Sequence, residues 1–366
     1  MGETASIRIT FVRHGESESN VSGRWQGQGD SKLSPLGRDQ AESLGRRLKG
    51  AHFDRVISSD LSRAADTARA LGREVTLEPA FRELDVGDWE GLDRREVALK
   101  FPDQVQVLAA GARDVKIGGG ESWDELYDRI KSAFDAVVRD ASAGSHVAVV
   151  AHGGAIAALF AGLLGIGGRH PRPLGRVVNT ALSTVEVHDG DLTLHRWNDA
   201  THLGPVGAWA EERLGRGDGV VGLVSHHQPD TDEPVPEGGR LRGGPSVLAI
   251  EHLGGWYRGL EHLYAAPIPH VRNAGAMLAA RNDIFLSDAP IATDDLDRQL
   301  SELAERHPGE RASAVLPAGA IADYLNRLVG PTGGAKIGHP RHATVSHTVM
   351  TDEGLVLANF GTSPRS

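Results

Sequence analysis

Residues suited to phosphoryl chemistry follow an apolar run at the start of the chain. The β-branched run from Ile7 to Val12 is typical of a buried strand, and Arg13, His14 and Gly15 come directly after it. A parallel strand that ends in this way directs polar side chains into the crevice where α/β sheets bind ligands. A neutral imidazole can act as a nucleophile, and a guanidinium suits bidentate binding of a phosphate. We therefore predict that His14 attacks a phosphoryl group that Arg13 helps to hold.

The same pattern recurs in the middle of the chain. The apolar run from His146 to Ala151 ends in His152 and Gly153, and an apolar helix through Leu164 is predicted to follow. Two parallel strands that both end in His-Gly can place their imidazoles in one crevice. The free N–H groups at the start of the helix, at Gly153, add positive potential for an anion.

Two further candidates lie between these strands. Arg63 is predicted in the first turn of a helix that Asp60 or Ser62 could cap, and a cation is disfavoured there unless an anion lies nearby. Glu83 lies in an acidic loop and is our candidate for the carboxyl group that gives a proton to a leaving oxygen. The alternatives to Glu83 are the other acidic residues of that loop, which are Asp85, Asp88 and Glu90.

Several helices are predicted around these residues. Ser34 and Pro35 are typical of an N-cap and a first helical position, and the helix after them has an apolar stripe of Leu36, Ala41, Leu44 and Leu48. Residues 118–122 form a glycine-rich loop before a long amphipathic helix with apolar positions Trp123, Leu126, Ile130 and Phe134.

Length and composition limit the class of protein. The 366 residues predict two domains, and the net charge of −10 argues against nucleic acid as the main partner. The chain has no cysteine, which excludes disulfides, thiolate catalysis and zinc–thiolate sites. We see no targeting segment and no run of about twenty apolar residues, so we expect a cytoplasmic protein without a membrane partner.

The motifs occur together in an order that resembles the histidine phosphatase superfamily, in its phosphoglycerate mutase-like branch. The resemblance runs from about Ile7 to His202 and implies an α/β fold, a three-layer α/β/α sandwich with a mostly parallel central sheet. It also implies a phosphohistidine at His14 and no metal or other cofactor. The residues that carry it are Arg13 to Glu16, Ser58 to Ala64, Glu83 with Gly87 to Gly91, Gly119 to Ser122, and His152 with Gly153.

The resemblance also implies roles for single residues. Arg13, Arg63 and His152 would hold the phosphoryl oxygens, and Glu83 would be the proton donor. Asn20 would assist them. Loops over the crevice set specificity in such folds, so we expect Gln26 and Gly153 to contact the substrate, with the stretch 100–120 nearby.

Three functions stay open at this point. The segment from Gly87 to Leu92, followed by Glu96 and Phe101-Pro102, resembles the broad-specificity phosphatases. This favours a phosphomonoester hydrolase that acts on a small phosphorylated metabolite. A phosphomutase, or a scaffold that binds a phosphorylated ligand without catalysis, is the alternative.

The second half of the sequence resembles a degenerate copy of the first. The run from Val220 to His227 aligns with the opening strand, and residues 310–322 align with 144–157. We predict an active domain at 1–212 and a shortened, inactive pseudoenzyme domain at 213–366 that packs against the first domain or forms the surface of a homodimer. The replacements are Ser225 for Arg13, His227 for Gly15, His270 for Arg63 and Pro317 for His152. A binding pocket for a metal or an anion, made by His226, His227 and His270, is the alternative.

Overall fold

A single mixed β-sheet runs through the computed structural model, which describes residues 6–167, 172–204, 208–226 and 245–363. The order of its strands is β3-β2-β4-β1-β5-β6-β12-β11-β7-β9-β8, and β10 pairs with β6. The strands are β1 Ile7–Arg13, β2 Arg55–Ser58, β3 Thr76–Leu77, β4 His146–Ala151, β5 Leu182–His188, β6 Asp191–Asp199, β7 Val220–His226, β8 His262–Ala265, β9 Arg311–Pro317, β10 Lys336–Ile337, β11 Val345–Thr351 and β12 Gly354–Thr362.

The helices of the described residues connect and cover these strands, with short 3-10 turns at Pro79–Phe81 and Gly87–Trp89. None of these helices is both long and apolar enough to span a membrane. The α-helices are α1 Glu18–Ser22, α2 Pro35–Leu48, α3 Ser62–Arg69, α4 Arg94–Lys100, α5 Pro102–Ala109, α6 Trp123–Asp140, α7 Gly153–Leu163, α8 Ala208–Gly215, α9 Pro245–Trp256, α10 Pro269–Asn282, α11 Leu296–Arg306 and α12 Ala318–Val329.

The strands that carry the predicted site lie side by side. β4 pairs in parallel with both β1 and β2, and Arg13 lies opposite Ala151. Successive residues of a strand face opposite sides of the sheet. Phe11 accordingly packs in the same apolar cluster as residues of α6 and α7, whereas Val12 packs in the cluster that contains residues of α2 and α3. This gives the predicted three layers around the first half of the sheet.

The two halves of the chain share one sheet. β6 pairs with β12 through Trp197 and Phe360, and the largest cluster of buried apolar residues contains side chains from both halves. The strand order β2-β4-β1-β5-β6 in the first half matches β8-β9-β7-β11-β12 in the second. Because β5, β6, β11 and β12 pair in antiparallel fashion, the sheet as a whole is mixed.

Some local predictions are wrong. Leu36 is predicted in the buried stripe of α2, but it is 53% exposed. Successive residues of a helix are rotated by about 100° around its axis, so Leu36 points away from the buried side. That side consists of Gly37, Ala41, Leu44 and Leu48. The N-cap of α3 is Leu61, which makes no side-chain cap. Ser34, in contrast, caps α2 as predicted, with its Oγ accepting from Gly37 N at 2.9 Å.

Both residues predicted to cap α3 are bound elsewhere. The Asp60 carboxylate accepts two hydrogen bonds from Arg82, at 2.7 and 2.5 Å. The Ser62 hydroxyl donates to Asp30 Oδ1 at 2.7 Å. Of the residues predicted to form a second pocket, His227 lies outside the described part of the chain.

Candidate active site

His14 follows β1 and is almost completely buried, at 3% exposure. Its Nδ1 lies 2.6 Å from the carbonyl oxygen of Gly15. Because a carbonyl only accepts hydrogen bonds, Nδ1 carries the hydrogen and Nε2 presents a lone pair. Burial, followed by the charges of Arg13 and Arg63, holds the pKa of His14 well below its ordinary value of 6.5. The imidazole is therefore neutral and has the tautomer that a nucleophile needs.

His152 follows β4, and its ring centroid lies 5.1 Å from that of His14. Its Nε2 contacts the hydroxyl of Ser59 at 2.9 Å. Burial and then the charge of Arg63 hold its pKa well below the ordinary value. The two imidazoles are far apart in the sequence but are buried neighbours in the structure.

The guanidinium groups of Arg13 and Arg63 both act on His14 through their charges. Arg13 Nη1 donates to the Val177 carbonyl at 2.7 Å. Arg63, in the first turn of α3, donates to the carbonyls of Gly29 at 2.8 Å and Gly27 at 2.9 Å. Burial lowers the pKa of each arginine to about 10, so both stay positively charged at neutral pH.

Polar atoms of this group lack partners within the described residues. Arg13 Nε, Arg63 Nε and His152 Nδ1 are buried without a hydrogen bond from any part of the chain that the structure describes. A buried unpaired polar group costs about 1–3 kcal/mol. The His152 ring is a neighbour of the His14 ring, and the charges of both arginines act on His14. The three unpartnered atoms therefore indicate a site that can receive an oxyanion, whose oxygens would supply the acceptors.

Glu83 lies against the N-terminus of α7. Its carboxylate accepts hydrogen bonds from the backbone N–H groups of Leu84 and Gly154 at 2.9 Å and of Ala155 at 3.0 Å. Gly154 permits this approach, because a Cβ at that position would lie 2.6 Å from Glu83 Oε1. The carboxyl group lines the same cavity as Arg13.

The other acidic residues of the loop have other contacts. Asp85 Oδ1 accepts from Gly87 N at 2.9 Å and so shapes the loop itself. Glu90 is exposed, and its Oε2 accepts from Gly29 N at 3.1 Å. Asp88 is not among the residues that line the described cavity. Glu83 is therefore the best placed of the four candidates.

Asn20 and Gln26 lie in the segment that follows His14. Asn20 Oδ1 accepts from the backbone N–H of Ser17 at 3.2 Å and from Asn179 Nδ2 at 3.4 Å, as part of the capping box of α1. Gln26 Oε1 accepts from the Ser17 hydroxyl at 3.0 Å, and its Nε2 is buried without a partner among the described residues. Gly153 is close to Arg13, since a Cβ there would lie 3.1 Å from Arg13 Nε.

Arg129 is a supporting residue that the sequence analysis missed. Its guanidinium donates to both oxygens of Glu121, at 2.7 and 2.8 Å, and to the carbonyl of Glu83 at 3.1 Å. It also donates to the carbonyls of Ala80 and Arg82, at 2.8 and 3.1 Å. Arg129 thus holds the backbone of the loop that carries Glu83. No local pattern marks it, because its partners are distant in the sequence.

Asn179 is a second such residue. Its Nδ2 donates to the backbone carbonyl of His14 at 2.9 Å, just before the turn that presents the imidazole. It lies three residues before the start of β5, and the sequence offers no signal that would have selected it.

A cavity of about 410 Å³ opens beside Arg13 and Glu83. The other charged residues that line it in the described chain are all arginines, namely Arg113, Arg172 and Arg176. The guanidinium of Arg172 lies 5.8 Å from the ring centroid of Trp123. Apart from Glu83, the charged side chains that line this cavity in the described chain are therefore guanidiniums.

Comparison with known proteins identifies the family. Residues 9–200, just over half of the chain, match the family model described as histidine phosphatase superfamily, branch 1. The chain belongs to this superfamily. The prediction of a histidine phosphatase is therefore confirmed at the level of the family.

Named relatives of this histidine phosphatase cover the same part of the chain. The metal-independent phosphoserine phosphatase of Arabidopsis thaliana is 34% identical over 212 residues, which are 56% of this chain and 87% of the relative. The probable phosphoglycerate mutase GpmB of Salmonella choleraesuis is 32% identical over 209 residues, 54% of this chain and 95% of the relative. The solved structure of Bacillus stearothermophilus YhfR matches with 27% identity and a TM-score of 0.51, over 54% of this chain and 99% of that one.

Proposed function

We propose that this chain hydrolyses a phosphomonoester of a small metabolite through a phosphohistidine at His14, without a catalytic metal. The observation that carries the proposal is the convergence of a neutral His14, whose Nε2 carries a lone pair, with the unpartnered buried atoms of Arg13, Arg63 and His152. Preorganised donors of this kind stabilise the charge that develops on a phosphoryl group in the transition state.

The proposed reaction has two steps. His14 Nε2 attacks phosphorus and the P–O bond of the ester breaks, while Glu83 in its protonated form gives its proton to the leaving oxygen. The Glu83 carboxylate then takes a proton from water as that water attacks the phosphohistidine, which releases inorganic phosphate and restores His14. Arg13, Arg63 and His152 hold the three non-bridging oxygens in both steps.

The lining of the cavity supports a substrate with a second negative charge. Besides Arg13, three arginines surround the space beyond the phosphoryl position, and Glu83 is the one carboxylate among the described lining residues. Arg113 and Arg176 have carboxylate partners, Asp124 at 2.8 Å and Glu212 at 3.2 Å. Arg172 instead rests on Trp123. We therefore assign the substrate to phosphomonoesters that carry a further carboxylate or phosphate.

The decisive experiment replaces the nucleophile. In the His14→Ala variant we expect hydrolysis of 4-nitrophenyl phosphate to fall by about 10³-fold or more, because no covalent intermediate can form. Acid quenching of the wild type with labelled substrate should trap an acid-labile phosphoprotein that the variant lacks. His52→Asn, at an exposed histidine, is the control and should retain full activity. A His14→Ala variant with wild-type activity would refute the mechanism.

A phosphomutase is the second candidate, and the similarity to the probable phosphoglycerate mutase of Salmonella choleraesuis favours it. A mutase returns the phosphoryl group to another oxygen of the same molecule, whereas a phosphatase releases it. Measuring both inorganic phosphate and phosphorylated products from a panel of phosphomonoesters separates the two. A non-catalytic scaffold would give neither product.

We also propose that residues 213–366 form a degenerate and catalytically inactive copy of the domain at 1–212. The common strand order of the two halves supports this. In the second half His226 lies opposite Pro317, and His270 lies in the first turn of α10, as Arg63 does in α3. His226 packs against His270 and His342, with centroids at 5.2 and 5.0 Å. A phosphoryl group would meet no guanidinium at the positions equivalent to Arg13 and Arg63.

A further inference from the structure

A group of three side chains with metal-binding chemistry lies at the far end of the sheet. His262 is the first residue of β8, the last strand in the order of the sheet. His307 and Glu310 lie in the turn between α11 and β9. The strands that carry the catalytic histidines are at the other end of the same sheet, so this group is not part of the phosphoryl site.

Both imidazoles contact the same carboxylate oxygen. His262 Nε2 lies 2.8 Å from Glu310 Oε2, and His307 Nδ1 lies 3.1 Å from that oxygen. The two imidazole rings are stacked with their centroids 3.7 Å apart. One nitrogen of each ring and one carboxylate oxygen all lie within 4.8 Å of one another.

The two nitrogen–oxygen distances are close to the ligand separations of a tetrahedral metal site. With bonds of about 2.0–2.1 Å, ligand atoms around Zn²⁺ lie roughly 3.3–3.4 Å apart. The two nitrogen–oxygen contacts would therefore lengthen by a few tenths of an ångström to admit the ion. Glu310 is exposed and its side chain can make this adjustment, and the site is open to ions from solvent.

The buried hydroxyl of Tyr264 contacts the ring nitrogen of His307 that does not face Glu310. The other ring nitrogen, Nε2, lies 3.0 Å from the Tyr264 hydroxyl, and both residues are buried. Histidines that bind metals usually have such a partner on the second nitrogen, which fixes the ring orientation. When Nε2 donates to Tyr264, the lone pair on Nδ1 points toward the group formed with His262 and Glu310.

We propose that His262, His307 and Glu310 bind a divalent transition-metal ion, with Zn²⁺ as the ion that fits best. Two imidazoles and one carboxylate suit zinc, whereas Mg²⁺ and Ca²⁺ prefer oxygen ligands throughout. The fourth position is left for water. Bound there, the ion ties the edge strand β8 to the turn that begins β9, and so serves stability rather than phosphoryl transfer.

The test measures zinc binding to the full-length chain after treatment with a chelator. Isothermal titration should show a zinc site with micromolar or tighter affinity, and Mg²⁺ should not compete for it. Glu310→Gln and His262→Asn should each weaken this site by at least tenfold. Tyr264→Phe, which removes the supporting hydroxyl, should weaken it by about tenfold. The melting temperature of the wild type should rise with zinc concentration.

A matched control is available in the first half of the chain. His188 is an exposed histidine 3.6 Å from Asp189 and is not one of the three proposed ligands, so His188→Asn should leave the affinity unchanged. Circular dichroism establishes that each variant is folded. The proposal is overturned if the wild type binds no zinc at micromolar concentration. It is equally overturned if Glu310→Gln and His262→Asn bind zinc as tightly as the wild type.

Discussion

The residues of the phosphoryl site are held by contacts that leave their reactive atoms available. The Gly15 carbonyl accepts a hydrogen bond from His14 Nδ1, which leaves the lone pair on Nε2. The Val177 carbonyl accepts from Arg13 Nη1, whereas Arg13 Nε is buried without a partner in the described chain. Since both guanidiniums are buried, their charges act in a medium where water screens them weakly. In the proposed reaction, a dianionic phosphoryl group would meet two buried positive charges at this site.

The role of Glu83 can be tested by its dependence on the leaving group. Glu83→Gln cannot give a proton to the departing oxygen, so hydrolysis of an alkyl phosphate should slow by about 10²–10⁴-fold. The first step with 4-nitrophenyl phosphate should slow far less, because its leaving group needs no proton, whereas the second step, in which Glu83 takes a proton from water, slows on both substrates. Single-turnover rates of leaving-group release from both substrates check this, with Glu90→Gln as the matched change in the same loop. Equal losses on the two substrates would contradict the assignment.

At this scale the sequence predicts residues that follow strands and misses residues that support loops. His14 and His152 could be found because each ends an apolar run, and the rule that strand ends meet at one edge of a sheet then brings them together. Arg129 could not be found. Its carbonyl partners at positions 80, 82 and 83 are set by how α6 packs against the loop, and the sequence of α6 does not encode that contact locally.

Among the elements, β12 has a direct connection to the wall of the substrate cavity. Gly175 N donates to the Leu357 carbonyl at 2.8 Å, and Leu357 N donates to the Pro173 carbonyl at 2.9 Å. Residues 172–177 line the cavity, and the Val177 carbonyl accepts from Arg13. The second half of the chain thus supports the wall of the cavity in which we propose that the substrate binds.

This connection predicts an effect of Gly175→Ala on substrate binding. A Cβ at this position would lie 2.5 Å from the ring of Trp209 and 3.3 Å from Ala358 Cα, so the wall must move. We expect KM to rise by about tenfold, while kcat changes less because the phosphoryl-binding atoms belong to other elements. Gly50→Ala is the control, since a Cβ there meets nothing within 4 Å. Full steady-state kinetics of both variants provide the measurement, and an unchanged KM for Gly175→Ala would count against the supporting role of β12.

Most element types could be predicted, but not every buried face or cap. The strand from His146 to Ala151 has the predicted bounds, and Ser34 caps α2 as expected. Leu36 shows one limit of prediction. The apolar periodicity of α2 does not distinguish a residue at the border of the buried face from a residue inside that face. The cap of α3 shows another limit, because Asp60 is a good N-cap by type but forms an ion pair with Arg82 instead.

On the scale of the whole molecule, the continuous sheet is the feature that the sequence does not reveal. The pairing of β6 with β12 joins two strands that each look like the last strand of a unit. An apolar pattern tells which face of a strand is buried, but it does not tell which edge will meet another edge. The sequence predicts two domains that meet at residue 212, and this boundary stays a proposal. Apolar side chains from both sides of residue 212 pack in one cluster, so the two halves share a hydrophobic core.

Buried neutral histidines in both halves predict how stability depends on pH. Burial lowers the pKa of His146, His202 and His347 to about 4, and lowers those of His14 and His152 as well. In the unfolded chain each titrates near 6.5. Below that pH the unfolded chain binds more protons than the folded one, so this part of the stability is present above pH 6.5 and is lost as the pH falls toward 4.

The free energy of unfolding should therefore decrease as the pH is lowered from 6.5 to 5. Carboxylates titrate mostly below this range, so they add little to the pH dependence there. Each histidine that only the unfolded state protonates adds about 1.4 kcal/mol per pH unit to the slope. Urea unfolding at several pH values measures the slope. His347→Gln removes the buried ring between Tyr257 and Asn359, so it should lower the slope by the contribution of one histidine. The control His52→Asn, at an exposed histidine, should leave the slope unchanged. A free energy of unfolding that stays constant from pH 7 to pH 5 would show that these side chains can be protonated in the folded chain, and hence that the core around them is not closed to water.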